Sequence, residues 1–366
     1  MTTGVARVRQ GLGGSRDDGS VVDAGEPFLR GWDPLRIEEL PVPQPADDEV
    51  LVRVEAAGIC GSDLHIALEG VTPTAFVPIT LGHEPAGVVA GLGATVTGWT
   101  AGERVVVVPI ISCDSCPLCL SGRSQLCPTR RLIGIHTDGA LAEYLVAPAK
   151  NLVRLPESVG FEVGAIITDA VATPFHALSV RAGLVEGESI AIYGVGGLGL
   201  HAVQLAKLLG ATQIIAIDVR PEQLERARAL GADHCIDSRD ADPVDAVMEA
   251  TGGRGVDVAA EFVGLATTIA AAAQSVVSGG RVIVAGLGPE PITVQPPTVF
   301  VRKEISLLGS YGFTKANIER LVELTATGQL DLAPSVTHTF PLDNAQDALE
   351  ALDTKLDNPV RIVVRP

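Results

Sequence analysis

The stretch from Glu188 to Arg220, ESIAIYGVGGLGLHAVQLAKLLGATQIIAIDVR, restricts the fold of this 366-residue chain more than any other. Ser189 to Tyr193 is a short apolar run, Gly194-Val-Gly-Gly-Leu-Gly199 is a turn, and Leu200 to Leu209 carries apolar residues at helical spacing until Gly210 stops it. Gln213 to Ile217 then predicts a buried parallel strand ending in Asp218.

Each glycine has a physical task in that frame. Gly194 permits the tight turn, Gly196 lets the backbone approach a pyrophosphate, and Gly199 lets the helix lie close on the sheet. Gly197 and Leu198 belong to the same loop. The helix start offers N–H groups and positive dipole to the phosphates. Asp218, 19 residues beyond Gly199, stands where a carboxylate accepts hydrogen bonds from the adenosine ribose. A 2′-phosphate there would meet like charge, so NAD is favoured over NADP; Arg220, two residues on, works the other way by offering that phosphate a cation. A glycine turn for packing alone is the rival reading. Strand, helix, second strand and acid in register favour a dinucleotide.

Length and charge narrow the rest. A chain of 366 residues exceeds one ordinary core, so two domains are expected. The net charge is -17 with no basic cluster, which disfavours nucleic acid and anionic membrane as partners. No run reaches the ~18 apolar residues of a membrane span, and no secretory leader pattern opens the sequence. A cytoplasmic location is expected. Four of the six cysteines crowd between 113 and 127, which suggests thiolate ligands rather than a disulfide framework.

Residues 1–23, rich in Gly, Ser, Arg and Asp, have no apolar period and predict a mobile tail. Short strands broken by Pro and Gly follow: Leu35 to Leu40, Glu49 to Glu55 in strict alternation, Ala86 to Gly91 and Arg104 to Pro109. Another antiparallel segment is expected from Gly134 to Val146. Cys60-Gly-Ser-Asp-Leu-His65 and Gly82-His83-Glu84 bring thiolate, imidazole and carboxylate onto this β scaffold, a plausible zinc site. Cys113-x2-Cys116-x2-Cys119-x7-Cys127 can close a tetrahedral shell on one zinc with no open position, so that zinc would be structural. Glu162 to Leu178 predicts a helix, a break and a second helix entered near Pro174, with Asp169 at the break. After residue 220 helices and strands alternate to about Gly286, the pattern of a doubly wound sheet. The strand Ile305 to Leu308, helices at Lys315 to Thr327 and Leu342 to Leu352, and the strand from Arg361 are expected to rejoin the first domain.

On GICGSDLH at 58 to 65, LGHEPAGVV at 81 to 89, the four-cysteine lobe, the glycine turn and Lys303-Glu-Ile-Ser-Leu-Leu-Gly-Ser310, the sequence resembles the zinc-dependent medium-chain alcohol dehydrogenases from about residue 26 onward. The resemblance implies an α/β protein with a GroES-like β-rich catalytic domain, 24–164 and 306–366, and a doubly wound Rossmann domain, 165–305. It implies two zinc ions per chain. Cys60, His83 and Asp169 would hold the catalytic one, with Glu84 able to approach it, and the four cysteines would hold the structural one. Asp169 stands where many members have Cys, which makes the metal environment harder. Ser62 matches the hydroxyl that takes the alcohol proton and His65 the histidine that passes it outward, while Asp63 would orient a ligand imidazole. Thr173, Leu198 and Val263 match positions that pack on the nicotinamide. A homodimer or homotetramer is implied, through strand pairing near Gly288 to Val301.

The expected activity is reversible hydride transfer between a secondary or cyclic alcohol and NAD, giving a ketone or aldehyde. The alternatives are a polyol or specialised secondary-metabolite dehydrogenase of the same family and, from another class, a non-catalytic protein that binds NAD and zinc. Cys235, on a nucleotide-domain strand, is expected to be a small core residue.

Overall fold

A computed structural model describes residues 4–9, 35–67 and 73–366. The chain folds as two compact units: one runs to Asp169 and resumes at Thr314–Pro366, and the other is Ala170–Phe313.

The first unit is built on a seven-stranded sheet. In spatial order its strands are Val336–Pro341, Arg361–Arg365, Glu49–Ile59, Glu84–Leu92, Arg104–Val107 and Leu152–Arg154, with Tyr144–Pro148 pairing beside Glu49–Ile59. The alternation at 49–54 emerges as Val50, Val52 and Val54 buried and Arg53 exposed, the signature of a strand with one covered face. The chain's last strand lies against this one, Ile362 opposite Ile59 and Val364 opposite Ala57. Their apolar faces meet Leu81, Leu141, Leu349 and Leu352 in one core.

Between residues 134 and 143 the expected antiparallel segment is loop, and only Tyr144–Pro148 is strand. The backbone there bonds to another loop: Gly139 N to Thr80 O at 2.8 Å, Ala140 N to Gly82 O at 2.8 Å and Leu141 N to Leu81 O at 2.9 Å. A carbonyl of Leu81 would stand 2.3 Å from a Cβ on Gly139, so only glycine allows that approach. Within the expected N-terminal tail, Gly4–Arg9 pairs antiparallel with Arg36–Pro41; the rest of 1–23 lies outside the described residues.

The second unit is a six-stranded parallel sheet in the order His234–Asp237, Gln213–Asp218, Ser189–Tyr193, Val256–Glu261, Val276–Val284, Ser306–Gly309. Strand order reverses between Ser189–Tyr193 and Val256–Glu261, which is the topological switch point of a doubly wound fold. Ser306–Gly309 is its sixth strand, with Val282 opposite Leu307 and Ile283 opposite Leu308. The expected boundary at 305 therefore falls too early: an apolar edge strand completes this sheet before the chain returns to the first unit at Thr314.

The expected break in 162–178 is a continuous helix, Phe161–Ala182, with π-turns at Ile167–Val171 and His176–Ala182. Pro174 has no N–H for the carbonyl of Ala170 and its ring crowds that oxygen. A widened turn relieves the crowding, and the Ala170 oxygen meets Nδ1 of His201 at 3.1 Å instead. By length and composition this 22-residue helix could cross a membrane, yet 72% of its most apolar window is buried inside the protein.

Candidate metal and nucleotide sites

Cys60 follows the Glu49–Ile59 strand, His83 immediately precedes the Glu84–Leu92 strand that Glu84 opens, and Asp169 sits in the π-turn; their ligand atoms all lie within 4.8 Å of one another. Nε2 of His83 is 3.5 Å from Oδ2 of Asp169, and the Cys60 thiol donates to that oxygen at 3.3 Å. Nδ1 of His83 faces Oδ1 of Asp63 at 3.5 Å. Asp63 is fully buried and also accepts from the backbone N–H of Cys60 at 3.0 Å and of Gly82 at 3.3 Å. One carboxylate thus ties together the two loops that carry the thiol and the imidazole.

The electrostatics of this cluster follow from its burial. Burial pushes the Cys60 thiol up, with the Asp169 charge adding to it and His83 opposing. For His83 burial acts downward, but Asp63, Asp169 and Cys60 outweigh it and hold the imidazole well above its ordinary range. Glu84 is pushed up to about 7 by burial, against the pull of Arg361. One Glu84 oxygen bonds to the Arg361 guanidinium, which also donates to Ile59 O at 3.0 Å. The other, Oε2, is buried without a hydrogen-bond partner, and a Cβ on Gly58 would lie 2.0 Å from it. A sulfur, an imidazole nitrogen and carboxylates converging in a largely buried site, with an orphaned oxygen among them, match the donor set of zinc.

The four cysteines of the lobe converge likewise, all within 4.8 Å. Cys113 Sγ is 3.9 Å and Cys116 Sγ 3.5 Å from Cys119 Sγ, close to the roughly 3.8 Å edge of a tetrahedron with Zn–S bonds of about 2.3 Å. Backbone and side-chain donors of Ser115 pull Cys113 down to about 5, whereas burial and its thiol neighbours push Cys119 up to about 12.

Ser62 and His65 lie on the helix Gly61–Ala67, both half-buried, and the Cys60 thiol reaches Ser62 Oγ at 3.8 Å. In the second unit, Gly194 has φ +83 and a Cβ there would meet Val263 Cγ2 at 2.4 Å; a Cβ on Gly199 would lie 1.9 Å from Gly194 O. Packing explains both. Gly196 is different: the nearest atom to its Cβ would be Arg220 Nη2 at 3.9 Å, so the space it leaves opens away from the chain, as a close-approaching ligand requires. Gly197 and Leu198 flank it, half-buried, at the start of the helix Gly199–Leu208. Asp218 accepts from Val195 N and Arg220 N, both at 2.9 Å, and Arg220 Nε stands 3.7 Å from it. It holds the turn and retains lone pairs for a hydroxyl. Val263 is 41% exposed and Thr173 half-buried in the segment Ala172–Phe175.

Two family models match the chain, an alcohol dehydrogenase GroES-like domain over residues 46–157 and a zinc-binding dehydrogenase domain over 197–327. Sorbitol dehydrogenase of Bacillus subtilis (strain 168) is 35% identical over 336 residues, 91% of this chain and 94% of that protein. The chain is a zinc-dependent medium-chain dehydrogenase/reductase. Other members of the family share its fold along the full length. The alcohol dehydrogenase from Thermus sp. ATN1 superposes with TM-score 0.87 at 30% identity, covering 98% of this chain and 99% of that one. A zinc-binding dehydrogenase from Sinorhizobium meliloti 1021 bound to NADP does so with TM-score 0.86 at 30% identity, covering 100% of both chains.

Sequence reasoning missed Arg361 and Glu261. Both are buried charged residues at the ends of mostly apolar strands, Arg361–Arg365 and Val256–Glu261. A charge in such a run requires a partner, and that mismatch was the available signal.

Proposed function

We propose that this medium-chain dehydrogenase/reductase is an NAD-dependent zinc alcohol dehydrogenase that interconverts a secondary or cyclic alcohol and its ketone. The observation that carries the reading is the convergence of Cys60, His83, Glu84 and Asp169 within 4.8 Å. When bound, zinc supplies a Lewis acid that acidifies the alcohol, and the nicotinamide supplies the hydride acceptor. Cys60, His83 and Asp169 would hold the metal, Glu84 would provide an exchangeable fourth ligand, and Asp63 orients the His83 ring. Ser62 Oγ takes the proton released by the alcohol and His65 passes it to solvent.

The four lobe cysteines hold a second, structural zinc, for two per chain. NAD is preferred to NADP because Asp218 places negative charge beside the adenosine ribose; the Sinorhizobium relative carries NADP, so both cofactors belong in the assay. A polyol substrate is the second reading, favoured by the similarity to sorbitol dehydrogenase. The test is reduced-cofactor absorbance with secondary, cyclic and polyol alcohols, NAD and NADP in parallel. Turnover with NAD is expected to vanish in Cys60→Ser and His83→Ala while NAD binding persists. Unchanged rates in those variants would sink the zinc assignment.

A further inference from the structure

Glu261 is the last residue of its strand, opposite Tyr193 on one side and Val284 on the other. It therefore stands at the carboxyl end of the sheet beside the switch point, outside which ligands of open parallel sheets bind. The residue is fully buried. All its side-chain hydrogen bonds fall on one oxygen: Oε1 accepts from Val263 N at 2.9 Å, Gly264 N at 2.8 Å and Thr268 Oγ1 at 2.7 Å. Oε2 is buried with no hydrogen-bond partner. The three donors are neutral groups, so among them nothing cancels the carboxylate's charge, and in a low-dielectric interior such a charge acts over several ångströms.

The same three donors shape the site. They fold Phe262–Gly264 back over the strand end, and glycines lock the turn: a Cβ on Gly264 would lie 2.3 Å from Leu287 O, and one on Gly288 2.0 Å from Gly264 O. Val263 is thereby set against Gly194, the first glycine of the nucleotide turn, with its side chain 2.4 Å from where a Cβ would be.

We infer that Glu261 is a positioning residue of the nucleotide site whose unbalanced charge sets the ratio of affinities for oxidised and reduced nicotinamide. The inference rests on the dinucleotide reading above. The oxidised ring is cationic and the reduced ring neutral. A fixed buried carboxylate at the strand end stabilises the first and not the second, whereas the shape of the Val263 wall is felt by both. The site is thus biased toward loading the oxidised cofactor and releasing the reduced one.

The experiment measures dissociation constants of NAD+ and NADH by calorimetric titration of the zinc-loaded, full-length protein and two variants. Glu261→Gln keeps an oxygen for the three donors and removes the charge. NAD+ binding should weaken by about tenfold, about 1.4 kcal/mol, with NADH moving less than about twofold. Equal weakening of both forms, or of neither, would overturn the inference. Thr268→Val keeps the charge and strips one donor from it, so the ratio should move the other way, toward NAD+, by about twofold to threefold. A folded Thr268→Val with an unmoved or reversed ratio overturns the inference even if Glu261→Gln does not fold. Wild-type protein that binds neither form removes the dinucleotide reading and this inference together. Wild-type protein that binds both, with the ratio unmoved in the variants, removes this inference alone.

Discussion

The glycines of the six-residue turn carry two different constraints. Gly199 is glycine because the chain itself leaves no room, its Cβ falling 1.9 Å from a backbone oxygen that no rotamer can move. Gly199→Ala should therefore cost about 1 to 3 kcal/mol of stability, as overpacking does, and thermal unfolding with and without cofactor would register it as a lower midpoint in both. Gly196 has open space at its Cβ position. Gly196→Ala should leave the unfolding midpoint of the free protein within about 0.5 kcal/mol of wild type, as substitutions clear of packing do, and weaken nucleotide binding. If Gly196→Ala bound NAD as wild type does, the close approach of the pyrophosphate there would be wrong. The sequence assigned the two residues different tasks, because the six-residue spacing encodes turn, approach and packing, and the packing task of Gly199 is the one the backbone contacts carry. It could not show that Asp218 spends two hydrogen bonds on holding the turn, since that depends on where Val195 N and Arg220 N fall in space.

At the scale of elements, the central parallel strands read well from sequence because a strand buried on both faces is a continuous apolar run. Ser189–Tyr193 is buried at every position. Its last residue carries a phenol in that core: Tyr193 OH pairs with Ser275 Oγ at 2.6 Å, and burial pushes its pKa up to about 12. With the folded value above the unfolded value of about 10, the phenol's contribution is complete below pH 10 and is lost as pH rises through about 12. The loss amounts to about 2 to 3 kcal/mol. The stability difference between wild type and Tyr193→Phe, from urea midpoints, should shrink between pH 9 and pH 11.5 by part of that amount; a constant difference would contradict it. Ser275 Oγ also bonds to Ala271 O at 2.9 Å, so the variant leaves no orphan. The helix Phe161–Ala182 read less well. Pro174 signals a break in sequence, and only the room for a π-turn and the His201 ring beside Ala170 O turn it into a continuous helix.

At the scale of the whole molecule, two metal clusters predict metal content and its separability. Elemental analysis should find about two zinc ions per chain. Cys116→Ser should drop this to about one and lower the unfolding midpoint, because a closed thiolate site contributes folding energy; Asp169→Ala should weaken retention of the other and leave the lobe's zinc in place. A wild-type count of one would leave the lobe or the catalytic cluster without metal. Leu287 and Val301 are 76% and 68% exposed near the Gly288 to Val301 stretch through which the resemblance implies a dimer or tetramer, so light scattering should find one. A monomer by light scattering would contradict it.

By itself the sequence determined the doubly wound second unit and the crowding of four cysteines into one lobe, because local spacing and strand periodicity are properties of short stretches; Cys60, His83 and Asp169 were brought into one set by the family resemblance, and the fold brings their ligand atoms within 4.8 Å. The tertiary structure alone decided the partners of the buried charges. Glu84 meets Arg361 across 277 positions of chain, and the three donors of Glu261 are gathered by a turn that glycine contacts hold closed. A buried charge takes whichever donors the folded backbone brings within hydrogen-bond reach, and no spacing in the sequence specifies that distance.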